Sequence, residues 1–463
     1  MNTHFGHLRC RIGMRLLLSM LFAMPLAMLT TASCAQAAGF ALFEQSVRGL
    51  GSAYAGSTVL AEDASTIFYN PAGMTFLPGQ QVELGGNYIV PRARFSNEGS
   101  TLSPALPAPI GGMPLSGGNG GDGGEAAFVP NLYYSSSLTD RFRLGLGLTA
   151  PFGLSTKYPR SWVGRYHAVE SRMATVNINP AIAYRVHPTL SLGAGLSVQR
   201  IEATLTNAVD FGTIFASSLG TTPQGADGYA EMKGDDWGYG FNLGLIYTPL
   251  ENTRLGLAYR SGIDHRLGGD VDFDYPNETV GAAAASPGVR LVNSDAHADL
   301  DLPATLALSG SYEIGPKWTL LADITWTQWS RLEELRIHFD SGAADSVTTL
   351  DWDDTWRYAA GALFKPDTRW QLRAGLAFDQ SPVPSSQRRT PRIPDDDRIW
   401  TAVGSGYRIS DLAGVNLSYA HLFVKDPKID KSGLEAEDQL RGALVGSYEA
   451  SVDIVSLNLE IHF

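Results

Sequence analysis

Covalent chemistry needs nucleophiles, metal ligands or titratable pairs at usable spacings, and this chain of 463 residues offers few. Its two cysteines, Cys10 and Cys34, both fall in the N-terminal leader described below. Seven of its nine histidines lie beyond that leader, scattered, with no H-x3-H pair of the kind that holds zinc. Asp270, Asp272 and Asp274 alternate along one strand end. Oxygen ligands of this sort suit Ca²⁺, but no glycine turn or distal Glu accompanies them, and a solvated acidic rim accounts for them. Gly118-Asn119-Gly120-Gly121-Asp122-Gly123 fits G-x-G-x-x-G, yet no helix follows and no βαβ unit surrounds it, so it is a flexible loop. No nucleophile motif marks Ser/His/Asp catalysis, although triads assemble in space rather than in sequence. The expectation is a non-enzyme with no cofactor and no metal.

The elements that position side chains are therefore the informative part. Residues 1–37 read as a secretory signal. Arg9, Arg11 and Arg15 form its basic start, Leu16 to Leu29 its apolar stretch, and Ala35-Gln36-Ala37 its cleavage site. Lipidation at Cys34 is an alternative that lacks the usual leucine at Thr31. With the leader gone, no thiol or disulfide chemistry is left. Removing its three arginines and no acid moves the net charge from −12 to −15. That balance excludes nucleic-acid binding, which needs a basic footprint.

Residues 38–77 are rich in small residues, show no alternation and end on Asn70-Pro71-Ala72-Gly73. So short a segment cannot bury a core of its own. We expect it to pack as a plug inside what residues 78–463 build. Those residues alternate with period two. Even positions of Leu190–Gln199 are apolar and odd ones small or polar, and Arg254–Tyr259 and Gln371–Asp379 repeat the pattern. About fourteen strands are expected, an even number as in bacterial barrels. They fall near 80–96, 126–138, 141–156, 168–186, 190–204, 235–249, 253–272, 298–313, 317–339, 352–365, 370–380, 397–408, 413–424 and 448–463. Tight turns alternate with the long segments 97–125, 157–167, 205–234, 273–297, 340–351, 381–396 and 425–447. Short periplasmic turns and long external loops produce this alternation.

Closure follows from energy. An open strand edge in hydrocarbon leaves several backbone groups unpaired at several kcal/mol each, more in sum than a domain's stability of ~5–15 kcal/mol. The fold class is thus all-β, a transmembrane antiparallel barrel with an N-terminal hatch in its lumen. Trp318, Trp326, Trp329, Trp352 and Trp356 are assigned to an interface girdle. In the last strand Val455, Leu457, Leu459, Ile461 and Phe463 share one face. The terminal Phe463 looks like the signal read by the outer-membrane assembly machinery.

Several motifs, in order along the chain, resemble the FadL/TodX family of outer-membrane transporters for long-chain fatty acids and hydrocarbons. Ala38-Gly39-Phe40 resembles its mature N-terminus. Gly49-Leu50-Gly51-Ser52-Ala53-Tyr54-Ala55-Gly56 and Asn70-Pro71-Ala72 resemble its hatch. Ala150-Pro151-Phe152-Gly153-Leu154-Ser155-Thr156-Lys157-Tyr158 is similar to its kinked third strand. Ser381-Pro382-Val383-Pro384 and Ile393-Pro394-Asp395-Asp396-Asp397-Arg398 resemble its late extracellular segment. The resemblance implies a monomeric 14-strand barrel in the outer membrane of a Gram-negative bacterium, in contact with lipid and lipopolysaccharide. It also implies energy-independent uptake of hydrophobic compounds.

The same mechanism can be argued physically. Each CH₂ that leaves water gains ~0.8 kcal/mol. An apolar lumenal cavity offers that gain where the sugar layer does not, and a gap in the wall would release cargo sideways. Pro151 has no N–H for a ladder, and in a closed barrel every strand is central, so Ala150, Pro151, Phe152 and Gly153 are expected to break pairing. The alternative is that Pro151 merely starts an external loop. Asn70 and Pro71, with Ala72, would fix a turn in the hatch, and the resemblance implies a gating role for them. Phe40 would reach the kink and close it. For a substrate carboxylate, which the family holds with a lumenal cation, Arg165, Arg200 and Arg373 are the candidates. If none serves, the cargo is a neutral hydrocarbon. Two other classes stay open: a general diffusion porin, which needs an unplugged charged lumen, and a barrel-borne lipase.

Overall fold

A computed structural model describes residues 39–463. The leader, its cleavage site and both cysteines lie outside the described residues. The chain forms a closed antiparallel barrel of 14 strands. Its first strands are β1 (Gln80–Asn97) and β2 (Ala127–Ser137). β3 comes in two pieces, Phe142–Thr149 and Gly153–Lys157. β4 (Glu170–His187), β5 (Leu190–Asp210) and β6 (Asp227–Leu250) follow. Four strands are then broken once each. They are β7 (Thr253–Arg260, Ile263–Asp274), β8 (Ser294–Leu302, Thr305–Ile314), β9 (Trp318–Thr327, Glu334–Phe339) and β10 (Ser346–Thr349, Thr355–Phe364). β11 (Trp370–Asp379), β12 (Arg398–Arg408), β13 (Ala413–Val424, Lys428–Lys431) and β14 (Leu444–His462) complete the ring. β14 pairs with β1 from Gln81↔His462 to Asn97↔Gly446, which leaves no free edge at the seam.

Period two sets the faces. Leu192, Leu196, Val455, Leu457 and Leu459 point out and are exposed, while Ile454, Ser456, Asn458 and Glu460 point in and are buried. The outward apolar rows have only lipid to cover them. Tight turns join the strands at one rim and longer connections at the other, as the alternation predicted.

Some boundaries differ from expectation. β5 and β6 pair on from Leu205↔Met232 to Asp210↔Asp227, so both ends of the segment 205–234 are strand. The expected strand 141–156 breaks where Pro151 was expected to interrupt it, and 253–272, 298–313 and 317–339, expected to be continuous, break as well. The breaks fall at Pro151, Gly262, Pro303 and a 3₁₀ turn, Trp329–Arg331. The girdle also needs correction. Trp318 and Trp356 are exposed on the outer wall, but Trp329 and Trp352 are buried within the barrel. Trp329 lies two residues beyond inward Thr327, and the break inside β10 turns Trp352 inward.

The hatch fills the lumen. Helix α1 (Val47–Gly51) starts where the Ser46 hydroxyl accepts from Gly49 N–H. Helix α2 (Thr66–Tyr69) leads into a 3₁₀ helix, Pro71–Phe76. Small inward residues let it approach: a Cβ on Gly375 would strike the Ser52 carbonyl, and one on Gly244 would strike the Asn70 side chain. Ion pairs tie it to the wall, Glu62 with Arg373 at 2.7 Å and Arg48 with Glu460 at 2.5 Å.

Candidate functional site

The wall is broken at the proline. β3 pairs with β4 up to Thr149↔Asn177 and again from Gly153↔Ala174. Between them the Thr175 hydroxyl stands in for a strand partner. It accepts from Phe152 N–H (2.9 Å) and donates to Phe152 C=O (2.7 Å). Thr175 points into the lumen, so Phe152 is displaced inward. On the other side β2 pairs with β3 only to Leu132↔Leu148, and the next contact is an isolated bridge between Gly124 and Thr156.

The backbone groups freed by the kink are satisfied by the start of the hatch. Leu42 N–H donates to Pro151 C=O (2.8 Å) and Gly153 N–H to Phe40 C=O (2.9 Å). The Gln45 amide donates to Ala150 C=O (2.8 Å) and accepts from Ala150 N–H (3.2 Å). Residues 40–45 thus lie behind the gap as a substitute strand. This segment is anchored at its beginning too. Gly39 N–H donates to Asp395 Oδ2 (2.9 Å), while Asp395 Oδ1 holds Arg398 Nε (2.9 Å). Phe40 inserts its ring among Trp329 (4.9 Å between centroids), Trp352 (5.7 Å) and Phe152 (6.0 Å).

Beyond Phe40 lies an apolar cavity with about 930 Å³ of unfilled space, part of it open to solvent. Leu154, Met173, Leu267, Leu300 and Leu332 line it with Phe40. Lys233, Asp270, His297 and Thr348 border it on the wall side, and Thr390 and Arg392 supply polar groups at its edge from the external segment. Arg392 is buried, and its guanidinium donates to Ser171 Oγ (2.8 Å) and to the Glu170 carbonyl (3.2 Å). Among the described residues no carboxylate pairs with it. Burial, with Arg441 nearby, pushes it down to about 9. A buried cation held only by neutral acceptors favours an incoming anion.

A family model described as outer membrane protein transport protein (OMPP1/FadL/TodX) matches residues 28–463. The chain belongs to the FadL/TodX family. Outer membrane protein P1 of Haemophilus influenzae is 31% identical over 94% of this chain and 98% of its own length. The long-chain fatty acid transport protein of Shigella flexneri is 29% identical over 92% and 96%. The crystal structure of a Pseudomonas aeruginosa FadL homologue superposes with a TM-score of 0.83 at 27% identity, over 92% of this chain and 100% of that one. The protein is accordingly an outer-membrane β-barrel.

In this FadL-family barrel the expected hatch and kink residues are brought together. Phe40 touches Phe152, and Asn70 caps the 3₁₀ helix that Pro71 starts, its Oδ1 accepting from Ala72 N–H (3.1 Å). The expected cations are not at the cavity. Arg200 lies on the outer face beside Glu202 (3.0 Å), because even positions of β5 point outward. Arg165 sits under the external loops, paired with Asp227 (2.7 Å). Arg373 is lumenal but committed to Glu62 of the hatch. Asp270, Asp272 and Asp274 are exposed on the upper part of β7, and Asp270 borders the cavity. Sequence reasoning missed Gln45, Thr175, Asp395 and Arg392. Asp395 and Arg392 lie in or beside the Ile393–Arg398 segment that marked the family, which was the available signal.

Proposed function

We propose that the protein takes up hydrophobic molecules across the outer membrane without energy input, with long-chain fatty acids as the best-fitting cargo. An acyl chain occupies the apolar cavity and its carboxylate docks on Arg392. Phe40 is the stopper between cavity and kink. Its movement, with the hatch, frees the gap between β2 and β3, and cargo leaves sideways into the bilayer. Related aromatic or aliphatic hydrocarbons fit the same apolar walls without the head-group contact. The hatch-filled lumen argues against a diffusion pore for polar solutes. The exposed Phe463 ring fits a role as insertion signal.

One observation carries this reading: the ring that closes the cavity belongs to the residue whose carbonyl is bonded to the broken strand, Gly153 N–H to Phe40 C=O at 2.9 Å. The test compares binding of a long-chain fatty acid and a neutral alkane to Arg392→Met protein. A charged hydrogen bond is worth ~1.5–3 kcal/mol, so fatty-acid affinity should fall roughly tenfold to a hundredfold. Alkane affinity should change less than twofold. Equal losses for both ligands, or unchanged fatty-acid binding, would refute the head-group assignment.

A further inference from the structure

The wall has a second break, far around the barrel from the first. β8 and β9 pair at their tops, Ala296↔Phe339 to Ala298↔Ile337, and again below from Thr305↔Thr327. Between these points residues 299–304 face 328–336 without a ladder. The foot of the gap carries one backbone bond, Gln328 N–H to Ala304 C=O (2.9 Å). The opposite side of the same bulge is sewn shut. Leu350 and Asp351 N–H both donate to Glu333 C=O (2.8 Å each). The bulge is thus fastened to β10 and left loose toward β8.

Its position and lining suit a passage. The lower piece of β8, Thr305–Ile314, has 10 residues. At ~3.3 Å per residue and a tilt of ~40° it rises roughly 25 Å, the height of a barrel's apolar band. The gap begins at its top, at the outer membrane interface. Leu300, Leu332 and Leu335 flank it on the inside and line the cavity. Along β8 Asp299 and Asp301 alternate with these to the outside. The result is an apolar throat with a polar lip. Arg331 straps it: one guanidinium nitrogen reaches Asp264 on β7 and another lies 3.4 Å from Leu302 C=O. A Cβ on Gly262 would collide with that guanidinium, so the glycine leaves room for the strap. Trp329, from the same bulge, packs against both Phe40 and Phe152. The two wall breaks therefore meet at one aromatic cluster.

We propose that the gap between β8 and β9 is a second lateral window, through which amphiphiles dissolved in the outer leaflet enter the cavity. The window opens directly on the cavity, whereas Phe40 separates the cavity from the β3 kink. Entry at one side and exit at the other would separate the two steps of a passage that runs down the cargo's gradient. This rests on the uptake reading above.

The chain has no cysteine after Cys34, so a staple can be placed cleanly. Continuing the upper register sets Asp301 opposite Glu334. Asp301→Cys with Glu334→Cys is bridged by disulfide or by a short bis-maleimide, and cells are assayed for uptake of a fluorescent long-chain fatty acid. Stapling should lower uptake at least fivefold, with reduction of the disulfide restoring it. Arg331→Ala, without the strap, should raise uptake at least threefold. A verified staple that leaves uptake unchanged overturns the window, as does an Arg331→Ala rate equal to the parent's. Absence of saturable uptake in the unstapled parent would instead overturn the uptake reading itself, and the window with it.

Discussion

Gln45 is the residue on which the closed state turns, and replacing it tests the substitute-strand argument directly. Its side chain is fully buried and reaches both backbone groups of Ala150, at 2.8 and 3.2 Å, with a further contact to Leu42 C=O at 3.2 Å. Gln45→Met keeps length and removes both polar ends. With the hatch seated, Ala150 N–H and C=O would then lack partners, at ~1–3 kcal/mol each. With the hatch displaced, water or lipid head groups can solvate them. The seated state is therefore destabilised by roughly 2–6 kcal/mol, about 30-fold to 10⁴-fold in the local opening equilibrium. The assay is native-state amide exchange at Leu42 and Gly153, whose N–H groups bond across the hatch–kink contact. Both should exchange faster by that factor, while central amides of β14 keep their parental rates. Acceleration of less than threefold at both sites would refute the claim that Gln45 holds residues 40–45 against the kink.

Two further outcomes follow from the hatch. Burial raises the Glu44 carboxyl from 4.5 to about 7, opposed by its own backbone N–H and by Arg398 and Arg357, and aided by Asp379. The seated hatch binds this proton more tightly than the displaced hatch, so its extra stability is complete below about pH 4.5 and lost as pH rises through 7. The difference is ~3 kcal/mol. Hatch amide exchange measured at pH 5 and pH 7.5 should show that slope, and Glu44→Gln should flatten it. Asn70→Ala removes donors to Thr58 C=O (2.8 Å) and Leu245 C=O (3.0 Å) and the acceptor for Ala72 N–H. It should weaken hatch seating by ~2–4 kcal/mol, read as faster proteolysis within residues 39–77 with the barrel intact.

The barrel was legible because period two and the rhythm of loop lengths are local properties. A strand with one lipid face must alternate, and Leu190–Gln199 or β14 shows this without any partner. The break at Pro151 was legible for the same reason, since a missing N–H is a property of one residue. Face assignment by parity also carried further than it was taken. Arg200 shares the even, apolar face of β5, and Trp329 continues the odd, inward row of Thr325 and Thr327. Trp352 is different: it lies in the break between the two pieces of β10, and parity does not survive a break.

What only the tertiary structure decided is who stands opposite whom. Arg392 meets the cavity because a late external segment folds over strands 200 residues earlier in the chain, touching Ser171 and Asn207. Gln45, Thr175 and Asp395 are ordinary polar residues in sequence. They become the partners of a kinked strand and a buried N-terminal segment only when closure of the ring brings them there. Alternation says which way a side chain points along its own strand. Register around the ring, and the detours at each break, say what it finds, and those depend on long-range pairing that no single stretch of the chain contains.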